Sequence, residues 1–198
     1  MKTLKILKRI LIGYCLMLVV SIGANAKTTP GSPDEAVIAN IMSRASVRNF
    51  KETPVEMEIL EELVKAGMAA PTGGDRRPWA FVVVTDPDIL LSLNGGRIRN
   101  LNTAQAAIVV CGDKTLSDYW VLDCSAASEN ILLAANAYGL GAVWCAVYPN
   151  NDRSAIVSEV LDLPENIVPL NIIAIGYPVD TPTPKDKFDS GKIHYQKW

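Results

Sequence analysis

The chain has 198 residues, 19 basic and 21 acidic residues, and a formal net charge of −2. This nearly balanced, slightly acidic composition argues against nucleic acid or an anionic membrane surface as a partner. One histidine and four cysteines, with no C-x-x-C pair among them, leave too few ligands for a zinc site, so we expect no metal.

The first 26 residues have the layout of a secretory signal peptide. The first nine residues include four basic ones, Lys2, Lys5, Lys8 and Arg9, an apolar stretch follows at residues 10–22, and Ala24-Asn25-Ala26 forms an A-x-A cleavage site. The apolar stretch is shorter than the roughly 20 residues of a membrane-spanning helix. We therefore predict export to the periplasm or another extracytoplasmic space, with no stable membrane span in the mature chain. An uncleaved membrane anchor is the alternative interpretation.

The mature chain is predicted to be a short linker followed by one domain. Residues 27–33 are polar and rich in proline and threonine, and residues 34–198 have the length of a single domain with one core. The signal peptide takes four of the 19 basic residues and no acidic residue, which leaves 15 basic against 21 acidic residues. The mature domain is therefore mildly acidic.

The first part of the domain predicts two helices. Asp34 can cap a short helix over residues 34–43, whose apolar residues share one face. Thr53 is a second N-cap candidate, because Pro54 suits the first helical position and Glu56 completes a capping box. The second helix carries a core-facing apolar stripe.

The rest of the domain alternates apolar strands with helices and ends in an arm. Continuous apolar runs predict strands that are covered on both faces. One long helix is rich in alanine, which lets another helix approach closely and predicts a position in the core or at a subunit interface. This alternation indicates an α+β or α/β three-layer domain. The predicted strands cover residues 79–85, 106–111, 142–147 and 168–175. The predicted helices between and around them begin at Asp86, at about Ser117, and at Asn151 or Asp152. The extended arm begins at Tyr177.

Arg44, Ser46 and Arg48 stand at alternate positions just after the first predicted helix. In an extended backbone alternate side chains point the same way, so these three would offer two guanidinium groups and one hydroxyl to a single anion. Residues 70–79 pack two glycines and two prolines into a helix-to-strand turn, and residues 184–188 hold two lysines at alternate positions. Taken singly, each segment is more simply explained as solvated surface charge or an ordinary tight turn.

Four segments together resemble the nitroreductase family of FMN-dependent oxidoreductases, over about residues 36–198. SRASVRNF (residues 43–50) resembles the family's opening R-x-S-x-R-x-F segment, and APTGGDRRPW (residues 70–79) resembles its P-S-x-x-N-x-Q-P-W segment. YGLGAVWCAVYP resembles the turn and strand that lie against the flavin. IIAIGYP, followed by KDKFDSGKIHYQKW, resembles the end of the family's chain.

The resemblance implies a fold and an assembly. The expected fold is a nitroreductase-like three-layer α/β sandwich of the α+β class, with a central mixed, mainly antiparallel sheet flanked by helices and an extended C-terminal arm. The expected assembly is an intertwined homodimer with two flavins at the interface, each contacted by both chains.

The resemblance also implies which residues contact FMN. The phosphate and ribityl chain would be held by Arg44, Ala45, Ser46 and Arg48, and the same phosphate would be approached by Lys185 and Lys187 of the arm. The polar edge of the ring would be faced by Asp75 and Arg77. The isoalloxazine would be lined by Ala146, Val147 and Tyr148.

The function that the resemblance implies is two-electron reduction of a small acceptor, such as a nitroaromatic or a quinone. Electrons would come through FMN from NAD(P)H or another donor. The sequence contains no G-x-S-x-G elbow and no Walker loop, and no side chain stands out as a general acid or base. Two alternatives remain open: an exported flavin-binding protein without catalytic turnover, and an enzyme for a phosphate-bearing ligand that uses no flavin.

Asp75 and Arg77 depart from the family pattern, which commonly has Asn and Gln at these positions. An ionised Asp75 can accept a hydrogen bond from the flavin N3–H but cannot donate one to a ring carbonyl, whereas Arg77 can donate. One hypothesis is that Arg77 stabilises the anionic reduced flavin. The alternative is that the two side chains only pair with each other.

Overall fold

A computed structural model describes residues 31–95 and 98–198 of the chain. The predicted signal peptide, residues 1–26, and most of the predicted linker lie outside these residues. None of the helices within the described ranges has the length and apolar character that crossing a membrane requires.

A four-stranded sheet forms the middle of the domain, and every neighbouring pair of strands is antiparallel. The strands are β1 (Trp79–Val84), β2 (Ala106–Asp113), β3 (Gly141–Ala146) and β4 (Ile167–Gly176), in the spatial order β1-β2-β4-β3. Most residues of the two central strands, β2 and β4, are buried. Helices cover both faces of the sheet, which explains why these strands are continuous apolar runs in the sequence.

Helices form the two outer layers. The described residues form α1 (Pro33–Ser43), α2 (Met57–Met68), α3 (Pro87–Asn94), α4 (Trp120–Ala137) and α5 (Asn151–Val160). Leu60 and Leu63 of α2 pack with Ile131 of α4 on one face of the sheet. Leu93 of α3 and Val157 of α5 pack on the other face. The predicted three-layer α+β sandwich with a mainly antiparallel sheet is confirmed.

The predicted capping box of α2 is wrong. The helix begins at Met57, and the residue in the N-cap position is Glu56 rather than Thr53. Val55 is buried in the core cluster beneath α2, so the chain runs into the core before the helix begins. The Glu56 carboxylate accepts a hydrogen bond from the Tyr177 hydroxyl at 2.9 Å instead of closing a capping box.

The predicted start of α3 is confirmed, and the predicted start of α5 is shifted. Asp86 caps α3, because its carboxylate accepts hydrogen bonds from two backbone N–H groups of the first turn at 2.9 and 3.1 Å. The cap of α5 is Asn150, whose side chain accepts from the N–H of Arg153 at 3.0 Å. The predicted cap at Asn151 or Asp152 is wrong, since these residues are already inside the helix.

The alanine-rich helix α4 is the central helix of its layer, and seven of its residues are buried. Its Ser128 hydroxyl donates to the Cys124 carbonyl and accepts from Asn171 Nδ2 of β4, both at 2.8 Å. α2 approaches α4 so closely that a β-carbon at Gly67 would lie 3.0 Å from Ile131. The predicted core position of this helix is confirmed.

α1 lies on the outside of α4. It begins at Pro33, so the predicted cap, Asp34, is already inside the helix. Its Asn40 side chain donates to the Leu133 carbonyl of α4 at 2.9 Å. No residue of α1 is buried. Its exposed apolar side chains are Val37, Ile38, Ile41 and Met42.

Candidate functional site

The segment after α1 runs along the free edge of β3. Arg44 leaves the helix in an extended conformation (φ −60°, ψ 128°), and Ser46 forms a parallel bridge with Ala142. The backbone N–H of Val47 donates to the Ala142 carbonyl at 3.1 Å. The extended backbone that the alternating pattern requires is therefore present, and the edge of the sheet fixes it.

The start of the C-terminal arm is held against the same segment. The N–H of Lys51 donates to the Tyr177 carbonyl at 2.8 Å, and the N–H of Val179 donates to the Asn49 carbonyl at 3.3 Å. Beyond this contact the arm is extended and exposed, apart from a single turn at Ser190–Lys192. The predicted arm is confirmed, and its first residues return to the segment that follows α1.

A cavity of about 350 Å³ lies between this segment and the arm. Six residues that the resemblance assigned to the phosphate and ribityl chain line it together: Arg44, Ala45, Ser46, Arg48, Lys185 and Lys187. Asp180 is the one carboxylate in the lining, and Thr181 and Thr183 add hydroxyl groups. Four cations against one carboxylate give the cavity a positive balance, and its donor set suits a phosphate group.

The four cations of the cavity differ in their partners. Arg44 Nε lies 3.4 Å from Glu129 Oε1 of α4, and the Arg44 side chain is only 18% exposed. Arg48 Nη1 donates to the Ser46 carbonyl at 3.3 Å. Over residues 31–95 and 98–198, neither Arg48 nor either arm lysine forms an ion pair within 4.0 Å, whereas Arg44 does. Three of the four charges are therefore available to an anion.

A second groove, of about 360 Å³, lies at the end of β3. Its lining comprises Ile98, Arg99, Asn100, Trp144, Cys145, Ala146 and Arg153. Arg153 Nη1 donates to the Ala146 carbonyl at 3.0 Å, and Asn100 Nδ2 lies 3.5 Å from Cys145 Sγ. The groove combines the amide of Asn100 with the guanidinium of Arg153, and these donors suit the polar edge of a ligand.

Cys145 lines the second groove and is close enough to Arg48 of the first cavity to interact with its charge. Burial raises the pKa of its thiol, while the Asn100 hydrogen bond and the charges of Arg48 and Arg153 act in the lowering direction. Arg48 lines the first cavity and Arg153 lines the second. Each cavity therefore has a cationic side chain that acts on the same thiol.

Ala146, Val147 and Tyr148 have different surroundings. Ala146 lines the second groove. Val147 is 1% exposed and belongs to the core cluster. Tyr148 is 41% exposed, and its ring meets the edge of Trp120 at a centroid distance of 5.0 Å and an interplanar angle of 72°. Only Ala146 of the three contributes to the lining of the groove; the backbone of the other two continues from the same strand.

Asp75 and Arg77 lie on the turn after α2 and line neither cavity. Arg77 donates to both carboxylate oxygens of Asp75, with distances of 2.8 and 2.6 Å. This hydrogen bonding lowers the pKa of Asp75 and raises the pKa of Arg77. Both residues have positive φ, 54° and 50°. The pairing that the sequence left as an alternative is therefore present within the chain.

That turn is anchored to the start of α4. The backbone N–H of Gly73 donates to Asp123 Oδ1 at 2.8 Å, and the Ser117 hydroxyl donates to Asp123 Oδ2 at 3.1 Å. The Arg77 N–H donates to the Thr72 hydroxyl at 3.1 Å. These bonds hold the Asp75–Arg77 pair on a defined surface, with both side chains more than 60% exposed.

The comparisons with known proteins decide the family. A sequence model of the nitroreductase family matches residues 41–109 and 92–177, more than half of the chain. A relative from Archaeoglobus fulgidus, named as an NADH dehydrogenase/NAD(P)H nitroreductase, is 41% identical over 173 residues, which cover 83% of this chain and 99% of the relative. The chain belongs to the nitroreductase family.

Solved structures of nitroreductase-family proteins have the same fold. A Parabacteroides distasonis protein named as an NADH dehydrogenase/NAD(P)H nitroreductase is 50% identical to this chain, with a TM-score of 0.80. The match covers 82% of this chain and 99% of that protein. An FMN-dependent nitroreductase from Clostridium difficile is 31% identical, with a TM-score of 0.75, 81% of this chain covered and 99% of that chain.

Ala146 of the second groove was predicted from the resemblance, whereas Asn100 and Arg153 were not. Asn100 lies in the connection between α3 and β2, and Arg153 lies in the first turn of α5. No local motif marks either residue, because the fold alone brings them to Ala146. Over residues 31–95 and 98–198, no cluster of His, Cys, Asp and Glu could hold a metal ion.

Proposed function

We propose that this protein is an FMN-dependent oxidoreductase that transfers two electrons to a small acceptor, such as a nitroaromatic or a quinone, with NAD(P)H or another molecule as donor. The observation that carries the proposal is the cavity shared by Arg44, Ser46, Arg48, Lys185 and Lys187. Membership of a family that includes an FMN-dependent nitroreductase supports the same conclusion.

The residues of the first cavity fit the phosphate end of FMN. A phosphate monoester carries nearly two negative charges at neutral pH and three strong acceptor oxygens. The cavity offers guanidinium and ammonium donors from Arg48, Lys185 and Lys187 together with the Ser46 hydroxyl. In our proposal these four side chains bind the phosphate, and Arg44 completes the set.

The residues of the second groove fit the ring end. Asn100 and Arg153 can donate hydrogen bonds to the carbonyl groups of a flat heterocycle, and the Ala146 carbonyl already fixes the Arg153 guanidinium. Trp144 belongs to the lining, but its side chain packs on the core cluster of the other sheet face, so the wall at this point is the β3 backbone. We therefore add Asn100 and Arg153 to Ala146 as residues that orient the ring, whereas Val147, buried in the core, and Tyr148, packed on Trp120, do not line this groove. When bound, FMN supplies the electron-transfer chemistry, and this chain supplies binding and orientation.

A homodimer is part of the proposal. α1 has no buried residue and exposes four apolar side chains, and a shallow, largely apolar groove lies between it and Leu133 and Ala137 of α4. A second copy would cover this surface. The Asp75–Arg77 turn lines no cavity with the phosphate cluster of its own chain, so in our proposal it meets a flavin bound by the partner.

Export remains a proposal based on the layout of residues 1–26. NAD(P)H is a cytoplasmic molecule, so an exported enzyme would need another reductant. In our proposal the enzyme acts outside the cytoplasm, and the reduction experiment below identifies which class of electron donor reduces its flavin.

The experiment starts from the purified full-length protein and its absorption spectrum. We expect a yellow protein whose flavin bleaches anaerobically with NADH, NADPH or dithionite and recovers its colour when a nitroaromatic or a quinone is added. If dithionite bleaches the flavin but NADH and NADPH do not, and the acceptor still restores the colour, the physiological electron donor is a molecule other than NAD(P)H. A yellow protein that no acceptor reoxidises would be a flavin-binding protein without turnover, and a colourless protein that ignores added FMN would refute the proposal.

A further inference from the structure

One carboxylate outside the cavity contacts a cation inside it. Glu129 Oε1 lies 3.4 Å from Arg44 Nε, and Arg44 lines the cavity whereas Glu129 does not. Arg44 is the cavity cation that forms an ion pair among the residues the structure describes. We propose that Glu129 is a positioning residue, which holds the Arg44 guanidinium ready for an anionic phosphate. The inference rests on the proposed FMN site.

The contact uses the nitrogen at the base of the guanidinium fork. A guanidinium presents five N–H donors in one plane, and a carboxylate at Nε leaves the outer nitrogens to a second acceptor. The Arg44 side chain is 18% exposed and Glu129 is 51% exposed. Glu129 therefore contacts Arg44 from the solvent side, and the Arg44 side chain lies between Glu129 and the cavity.

The helix that carries Glu129 is fixed on both sides of it. The neighbouring Ser128 hydroxyl accepts from Asn171 Nδ2 of β4 at 2.8 Å. The neighbouring Asn130 Nδ2 donates to the Ala66 carbonyl of α2 at 3.0 Å. The backbone that carries Glu129 is therefore held in the core, whereas Arg44 lies on a segment between a helix and a sheet edge. A carboxylate placed by this helix restricts the conformations of Arg44 before the ligand arrives and reduces the entropy lost on binding.

The sign of the effect distinguishes positioning from competition. If Glu129 only competed with the phosphate for Arg44, its removal would strengthen FMN binding. If it orients Arg44, its removal weakens FMN binding. Riboflavin has the same ring and ribityl chain but no phosphate, so its affinity should not depend on Glu129 in either case.

The test compares dissociation constants for FMN and riboflavin, measured by flavin fluorescence, in the wild-type apoprotein and in Glu129→Gln. We expect the FMN dissociation constant to rise about fivefold and the riboflavin constant to stay the same. Glu62→Gln is the matched control, because Glu62 is also half-exposed (49%) and pairs with a cation, Lys65, on α2. In an Arg44→Lys background, which lacks the Nε contact, Glu129→Gln should have no further effect.

Each outcome decides the inference. A wild-type protein that binds FMN no more tightly than riboflavin would refute the proposed phosphate cavity, and the inference with it. If the wild type prefers FMN but Glu129→Gln keeps the full preference or strengthens it, the cavity stands and the positioning role is overturned. Equal weakening for FMN and riboflavin would show a general structural defect and also overturn it.

Discussion

Val47 lies directly against Gly141: a β-carbon built at position 141 would be 2.6 Å from Val47 Cγ1 and 2.7 Å from its Cβ. The glycine therefore allows the segment that carries Arg44, Ser46 and Arg48 to lie against the edge of β3. Because Ser46 forms its bridge with the next residue, Ala142, this contact fixes the position of the phosphate cavity as well as local packing.

We expect Gly141→Ala to lower stability by about 1–3 kcal/mol, the usual range for an overpacked core, and to weaken FMN binding. Urea unfolding and FMN titration measure the two effects. Val47→Gly removes the side chain that the new methyl would meet, so the double variant should be more stable than the sum of the single effects predicts. A Gly141→Ala protein with wild-type stability and FMN affinity would contradict the proposed role of this contact.

The second prediction concerns the two distant parts of the cavity. Arg44→Ala and Lys187→Ala should each raise the FMN dissociation constant, by about tenfold for the largely buried Arg44 and less for the exposed Lys187. The affinity for riboflavin should change little, because riboflavin lacks the phosphate. Fluorescence titration of both ligands provides the measurement.

The matched control is Lys65→Ala, which removes a cation that pairs with Glu62 on the surface of α2. This change should leave both affinities unaltered. If Arg44→Ala and Lys187→Ala also left the FMN affinity unaltered, the phosphate assignment of the cavity would be wrong.

The sequence predicted the elements of this fold well where one physical signal dominated. Unbroken apolar runs identified all four strands, because helices bury both faces of the sheet. It failed at the start of α2, where Thr53 and Glu56 matched a local capping pattern but the buried side chain of Val55 keeps the preceding segment out of the helix. A local motif carries no information about which neighbouring side chain enters the core.

The residues of the candidate site also fall into those that the sequence predicted and those that it could not predict. The alternation of Arg44, Ser46 and Arg48 predicted that they share one side of an extended segment, and the resemblance implied that the arm lysines join them. Asn100 and Arg153 could not be predicted, because one comes from the connection between α3 and β2 and the other from the first turn of α5, and they meet only in the folded chain. Nor did the residue types at 75 and 77 reveal whether they pair with each other or face a ligand.

The third prediction tests the role of Arg77. We expect Arg77→Gln to lower the midpoint potential of the bound flavin, because a guanidinium near the ring stabilises the anionic reduced form. Anaerobic redox titration with a reference dye measures the potential. The ion pair with Asp75 makes Asp75→Asn the informative companion, since it frees the Arg77 charge and should shift the potential in the opposite direction. An unchanged potential in both variants would leave the pair with a structural role only.

The fourth prediction concerns the buried thiols and alkaline pH. Burial raises the pKa of Cys111 and of Cys124 to about 12, from an ordinary value of 9.0. The unfolded chain therefore releases these protons at lower pH than the folded chain does. Stability from the two thiols is fully present below about pH 9 and is lost as pH rises toward 12, by up to about 1.4 kcal/mol per pH unit for each thiol.

Urea unfolding of the wild type and of a Cys111→Ala/Cys124→Ala variant, at pH 8 and at pH 10.5, isolates this contribution from other titrating groups. We expect the wild type to lose more stability between the two pH values than the variant does, because the variant lacks the two thiols. Native protein should also resist thiol reagents at these positions at pH 8 and react on unfolding. Equal losses in the two proteins would mean that the thiols ionise as readily in the folded chain as in the unfolded one.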